Sequence, residues 1–555
     1  MKAKSSRVAV LCALSLFTLC FAAKAGTNSS PGGIAATAGD HPFLQAGGAM
    51  DASDQAKPNN LRYSYQAYYS IYDFGGVCDG AHIAADTAAL NAAATYVDTG
   101  GSVKIPSGLQ CQYDNSTTSL TFTNPTGRFF GDGSGSKISF SALSRDAIDV
   151  NTGSGFRIDG LSLSMSPPLT TRGGGYLVNI SNGQNITASD LWLSNSDLSG
   201  MRWANVTTGH ITRVHISNTL ANGLFTINNR HLMVVNPSCN NTGDYCFETS
   251  YYDSQGTTCT DITVTGLSSE NDIGGMLNNA CKNVSFTNFV IDGAAKRGIS
   301  IDQDSTTTTT QWPDNTVVGP GVMTNIGYGA NSGGNSASAT GFYMNINTIP
   351  PTGVYQRISI ANVQVIHVAG NGVFLGDNGT IDLQLGDSLF DLNGGNGAIG
   401  TNGRFQAAID VDGHSVSLSH VRVTNAAGPA LYLNTTVDFT ADHFTSVNPN
   451  TSGNTSNSIY TASRGTVNMD GIYIYDSSAT NRSEITDVAT AGITNIRNIG
   501  GLSATPLPPP TSGKTSFTYS WANESPVDCH GANSALTFDS STHTYGCNIN
   551  GSGGN

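Results

Sequence analysis

One block of sequence recurs without gaps between Ile186 and Asp304, and it limits what this chain can fold into more than any other feature. Ile186–Trp203, Gly209–Thr226 and Leu232–Thr249 begin 23 residues apart, and Val284–Ile301 repeats them in register. Each copy opens with alternating apolar and polar residues. Each then reaches a small residue (Gly200, Gly223, Cys246, Gly298) and closes on a second short alternating run. Alternation with period two is the signature of short strands, and a spacing of this length is that of stacked repeats. Ile262–Asn278 fits with one residue fewer, and Ile358–Leu375 and Val416–Leu433 carry the pattern onward. A lone coil cannot bury its strands, so the array must share one core as a single elongated domain. The fifth position holds Asp190, Arg213, Asn236, Asn288, Asn362 and His420, polar side chains suited to a turn.

Composition narrows the partners. Charged residues are 12% of the chain and the net charge is −14. Lys2, Lys4 and Arg7 precede an apolar run from Val8 to Phe21 and a small-x-small site at Ala23–Ala25. This is the pattern of a cleaved signal peptide over residues 1–25. Its removal takes away four positive charges and leaves the mature chain at −18. A chain this acidic lacks the basic face that nucleic acid or an anionic membrane requires. The apolar run is also too short for a membrane span. We therefore expect a secreted protein, extracellular or periplasmic, with no membrane insertion. Of ten cysteines, Cys12 and Cys20 leave with the signal. Proximity pairs the rest as Cys78–Cys111, Cys239–Cys246, Cys259–Cys281 and Cys529–Cys547. Residues 26–67 read as a flexible leader, 68–502 as the repeat domain, 503–514 as a Pro-rich linker and 515–555 as a small stapled tail.

The start of the repeat domain carries DFGGVCDG at Asp73–Gly80, DTAAL at Asp86–Leu90, GGSVKIPSG at Gly100–Gly108 and GDGSGSKI at Gly131–Ile138. Together these resemble the N-terminal signature of the pectate-lyase-like superfamily. The resemblance implies an all-β, right-handed parallel β-helix whose open end is covered by a helix over Asp86–Val97, with Asp86 as its N-cap. It speaks weakly to reaction, because that superfamily spans lyases, hydrolases, epimerases and phage tailspikes.

Candidate chemistry sits where the copies differ. Asp244 takes the thirteenth position of its coil and Lys296 the same position two coils later, about 10 Å away at the usual strand spacing. Asp272, in the coil between, is offset by about one residue, which would put it roughly 5–7 Å from Asp244. Paired carboxylates are what glycosidic cleavage needs. Glu248 should face outward between Phe225 and Leu277, where apolar neighbours raise an acid's pKa. Glu248 is about 13 Å along the strand from Asp244, too far for direct contact, so the two read as alternative acids; Asp244 is the first catalytic candidate, with Asp272 or Glu248 as its partner. The text NTGDYC at Asn241–Cys246 resembles the NTGDDC element of polygalacturonase-type glycoside hydrolases, in which the aspartates are catalytic. Only Asp244 carries over, Tyr245 standing at the second position, and the other motifs of that family have no counterpart here.

Lys296, Arg297 and Asp302 read as substrate contacts. Tyr245, Tyr251 and Tyr252, together with Trp312, are platforms for the apolar faces of sugar rings. A polysaccharide lyase is the competing reading: Lys296 or Arg297 would be the base for β-elimination from a uronic acid. Ca²⁺ held by Asp244, Asp272, Asp302 and Asp304 would neutralise the carboxylate. The hydrolase reading calls for no cofactor and no metal. A non-catalytic glycan-binding helix is the third reading. Asp410, Asp412 and His414 form a weaker second cluster, and His210, His215 and His231 read as structural. Long β-helices occur as monomers or trimers, and the sequence leaves both open.

Overall fold

The computed structural model describes most residues from 68 to 500, apart from short internal stretches of which the longest are 330–338, 394–406 and 476–484. It also describes the strands Thr515–Tyr519, Ser534–Asp539 and Thr544–Ile549. The signal, the leader to residue 67, the Pro-rich stretch and Cys529 lie outside the described residues.

The described chain winds as a right-handed parallel β-helix. Each complete coil lays two short strands on a long back sheet and one on a front sheet, and neighbouring coils pair in parallel. Ile186, Gly209, Leu232, Ile262 and Val284 are successive partners on the back sheet, continuing through Thr316, Ile358, Leu383, Val416 and Phe439. The fifth-position residues are the corner between the two back strands. Asp190, Arg213, Asn236, Asn288, Asn362 and His420 all have φ between 50 and 57°. In the shorter copy the corner is Gly266, with φ of 71°. A single left-handed residue bends the chain sharply, which is why short polar side chains dominate there.

Two features depart from the sequence reading. The stretch between Asp302 and Arg357, where the sequence shows no copy of the repeat, contains a full coil built from Asp314–Val318, Gly321–Ile326 and Thr340–Ile346. Buried Thr316 replaces an aliphatic residue and Gly319-Pro320 forms the corner, which hid the period. The capping helix, α1, runs from Ile83 to Asp98, so Asp86 lies inside its first turn and His82 is the N-cap. Asp86 is fully buried. Its carboxylate accepts the backbone N–H groups of Val77 (2.9 Å), Cys78 (2.8 Å) and Gln112 (3.0 Å), tying the helix to the first coil. Ala89, Leu90, Ala93, Ala94 and Val97 face the coil end and close the core. Inside, alternate strand residues stack: Phe122 lies 5.4 Å from Phe129 and 5.3 Å from Phe156.

Disulfides Cys78–Cys111, Cys239–Cys246 and Cys259–Cys281 are formed. Beyond residue 500, Thr515–Tyr519 adds a further parallel strand beside Ile493–Gly500, while Ser534–Asp539 and Thr544–Ile549 pair as an antiparallel hairpin. Among the described residues, no helix is long and apolar enough to cross a membrane.

Candidate active site

The outward positions of the front sheet form one line up the helix. Asn179, Arg202, Phe225, Glu248, Leu277, Ser300, Tyr343 and Phe374 are consecutive partners. Arg172, Asp244 and Lys296 come from segments leading into the front strands, and Tyr251, Tyr252, Thr308, Thr310, Gln311 and Trp312 from segments leaving them. The leaving segments hold one another: the hydroxyls of Thr308 and Thr310 donate to Asp253 Oδ1, and Gln311 Nε2 donates to the carbonyls of Cys259 (3.1 Å) and Ala280 (2.7 Å).

Asp244 is placed by a turn that the repeat itself builds. The eleventh residue of three successive copies is a buried hydroxyl that donates to a carbonyl just ahead of it. Ser196 bonds Ser199 (2.7 Å), Thr219 bonds Ala221 (2.8 Å) and Thr242 bonds Asp244 (3.0 Å). The Cys239–Cys246 bridge closes the same turn. A Cβ at Gly243 would sit 2.5 Å from the Leu220 carbonyl oxygen, so glycine is what allows the turn to pack against the coil below.

Glu248 is held more tightly. It is only 9% exposed. Its Oε1 accepts the Ser250 hydroxyl at 2.6 Å and its Oε2 accepts Asn222 Nδ2 at 2.8 Å. Asn222 Oδ1 in turn accepts the Tyr245 backbone N–H (3.0 Å), which fixes the orientation of the amide and links Glu248 to the Asp244 turn. Burial pushes the Glu248 carboxyl up to about 7; the negative charge of Asp244 adds to the rise, while the Ser250 and Asn222 bonds and Arg172 oppose it. Burial also holds the Asp244 carboxyl above its usual range, with Arg172 (3.9 Å away), Lys296 and Arg297 offsetting part of the rise. Glu248 is the more deeply buried of the two, and more positive charge acts on Asp244.

The structure does not bring Asp272 to this face. Tyr245, Gly274 and Arg297 are register partners. Ile273, and not Asp272, therefore lies in line with Asp244 and Lys296, and one residue of offset turns a strand side chain to the other side. Asp272 is fully buried against the Cys239–Cys246 disulfide. It accepts the Thr242 N–H (2.7 Å) and the Ser269 hydroxyl (2.6 Å), and burial raises its pKa to about 6. Its carboxylate is spent holding the turn that carries Asp244.

Arg297 is boxed in. Its guanidinium lies 3.5 Å from the Tyr343 ring centroid, 3.2 Å from Ser300 Oγ and 3.5 Å from both the Tyr245 hydroxyl and Asp302 Oδ2. The pairing neutralises Asp302 from within the protein. Lys296 is exposed beside it. Tyr252 meets Phe225 edge-on at 6.3 Å, and burial lifts its phenol to about 12. Tyr251 and Trp312 pack partly against the core. Asp410 and His414 are not brought together. Asp410 is buried and meets Asn371 (3.4 Å), whereas His414 bonds Asp382 (2.8 Å) on the back sheet and stacks on Tyr355.

Sequence reasoning missed Arg172, Asn222, Ser250 and Tyr343. The last three are visible only once the front-sheet register is known. Arg172 lies in a glycine-rich segment anchored by Asp197, whose carbonyl and carboxylate accept the N–H groups of Gly173 (2.9 Å) and Gly175 (3.1 Å).

No family model and no curated protein sequence matches the chain. Solved structures do resemble it in shape. The catalytic unit of the GH87 α-1,3-glucanase from Streptomyces thermodiastaticus strain HF3-3 is 13% identical, with 82% of this chain and 69% of that chain covered and a TM-score of 0.45. A GH87 α-1,3-glucanase catalytic-domain variant in complex with tetrasaccharides is 16% identical over 64% of each chain, with a TM-score of 0.48. A tailspike variant of E. coli bacteriophage HK620 in complex with a pentasaccharide is 10% identical, covering 86% of this chain and 84% of that one, with a TM-score of 0.49.

Proposed function

We propose that the chain is an exported glycoside hydrolase that cleaves a polysaccharide on the front sheet, with Glu248 as general acid and Asp244 as the second carboxylate. The observation that carries this reading is the state of Glu248: a buried carboxyl with a pKa of about 7 on the outer face of a sheet, beside a carboxylate surrounded by three cations. More positive charge acts on Asp244 than on Glu248, which separates the two acids in the direction that glycosidic cleavage requires.

In the reaction, Glu248 gives its proton to the glycosidic oxygen as the bond from that oxygen to the anomeric carbon breaks. Asp244 takes a proton from the attacking water or attacks the anomeric carbon itself. Arg172 and Lys296 favour the ionised form of Asp244. Tyr252 offers a ring for an adjoining sugar, while the Tyr343 ring is stacked on both Arg297 and Phe374.

The test is a panel of neutral and acidic polysaccharides, read simultaneously for new reducing ends and for ultraviolet absorbance. Reducing ends without absorbance, lost in Glu248→Gln and Asp244→Asn, are expected. Absorbing unsaturated products would make the protein a lyase. No product in either channel would leave a glycan-binding helix.

A further inference from the structure

The back sheet carries a second concave site that the hydrolase reading does not use. Along one outward line, Trp192, His215, Ser238 and Ser268 are consecutive partners on four successive coils. Two large rings are thus followed by two of the smallest polar side chains, and the surface drops by a step. Trp192 and His215 stack with centroids 5.5 Å apart and planes 24° from parallel, forming a continuous aromatic wall. His215 Nδ1 bonds Ser238 Oγ at 2.7 Å, which fixes the ring at the edge of the step. The neighbouring line supplies a polar rim, where Asn240 Nδ2 donates to Glu270 Oε2 at 3.0 Å. The cavity so formed is about 430 Å³, within the usual range for a small-molecule site. It spans about 14 Å along the helix at the usual strand spacing.

An aromatic wall beside hydroxyl, amide and carboxylate groups matches one chemistry well. The apolar face of a pyranose stacks on the rings while its hydroxyls bond the rim. No Lys or Arg lines the groove and an acid stands on its rim, which disfavours a uronic acid or a sulfated sugar. We propose that this groove is a second, non-catalytic site that binds neutral sugar residues of a polysaccharide, with Trp192 and His215 as the stacking platform. Its residues are distinct from those named on the front sheet, and the proposal does not depend on the reaction assigned there.

The experiment is affinity electrophoresis of the Glu248→Gln protein in gels containing neutral glucan, mannan, xylan or galactan, with polygalacturonate as the anionic comparison. Trp192→Ala, which removes the platform, and Ser268→Trp, which fills the step and leaves the platform intact, are made in the same background. Circular dichroism and thermal unfolding confirm that each variant is folded. Retardation by at least one neutral polysaccharide is expected, weakened about tenfold in both variants. With Glu248 restored, both variants should cleave short oligosaccharides at the rate of the unaltered protein. Retardation unchanged in both variants, retardation only by polygalacturonate, or no retardation by any neutral polysaccharide would overturn the proposal.

Discussion

Replacing Glu248 with glutamine should do two opposite things, and the structure gives the size of one. In the folded chain the Glu248 carboxyl is raised from 4.5 to about 7, chiefly by burial. At about 1.4 kcal/mol per unit, this corresponds to at most about 3 kcal/mol. Between pH 4.5 and 7 the folded protein holds a proton that the unfolded chain has released, so stability falls as pH rises through that window and stays low above it. Glutamine cannot ionise, and it fits the same contacts. Its carbonyl can accept Asn222 Nδ2, while its amide donates to Ser250 Oγ, whose hydroxyl is free to turn from donor to acceptor. The variant should therefore match the wild type at pH 4 and exceed it by up to about 3 kcal/mol at pH 8. Denaturant unfolding at the two pH values measures this, or unfolding rates where unfolding is irreversible. Catalysis should fall about 10²- to 10⁴-fold in the same variant. A stability difference that does not change with pH, or a variant less stable at pH 8, would refute the buried-acid reasoning.

Other consequences follow from the same geometry. Asp272→Ala leaves the Thr242 N–H and the Ser269 hydroxyl without their buried acceptor. It should cost about 1–3 kcal/mol in unfolding experiments while lowering kcat far less than Asp244→Asn does. Opening the Cys239–Cys246 bridge by double serine substitution should destabilise the chain by about 2 kcal/mol and lower kcat, because the bridge closes the turn carrying Asp244. Arg297→Ala removes the cation stacked on Tyr343 and leaves Asp302 unpaired, so KM should rise about tenfold or more with a smaller change in kcat. The pH profile of kcat/KM should decline above about 7 as Glu248 ionises.

What the sequence revealed depended on what a repeat makes visible. Copies in register expose the period, the corner residues and the alternation of inward and outward positions, because every coil answers to the same backbone constraints. They also expose departures such as Asp244 and Glu248. They say little about absolute register where a copy is a residue short, and one residue decided the fate of Asp272. Ile262–Asn278 lacks a residue before its front strand, so Ile273 took the outward place and Asp272 turned to the disulfide. The coil around Thr316 was hidden because a buried threonine and a Gly-Pro corner replaced the aliphatic and polar residues of its neighbours. Asn222 and Ser250 look like ordinary turn and strand residues in one dimension. They become partners of Glu248 only through the pairing of Leu224 with Phe247 and the line it sets. Tyr343 lies one full coil beyond Arg297 and adjoins it only through the front-sheet register.

The division of roles between the two acids can be tested directly with an aryl glycoside of the sugar that the polysaccharide panel identifies, carrying a leaving group acidic enough to depart without a proton. If Glu248 is the proton donor, Glu248→Gln should cleave this substrate at a rate near that of the unaltered protein, while Asp244→Asn remains inactive on it. Equal loss in both variants, or rescue of Asp244→Asn in place of Glu248→Gln, would contradict the assignment.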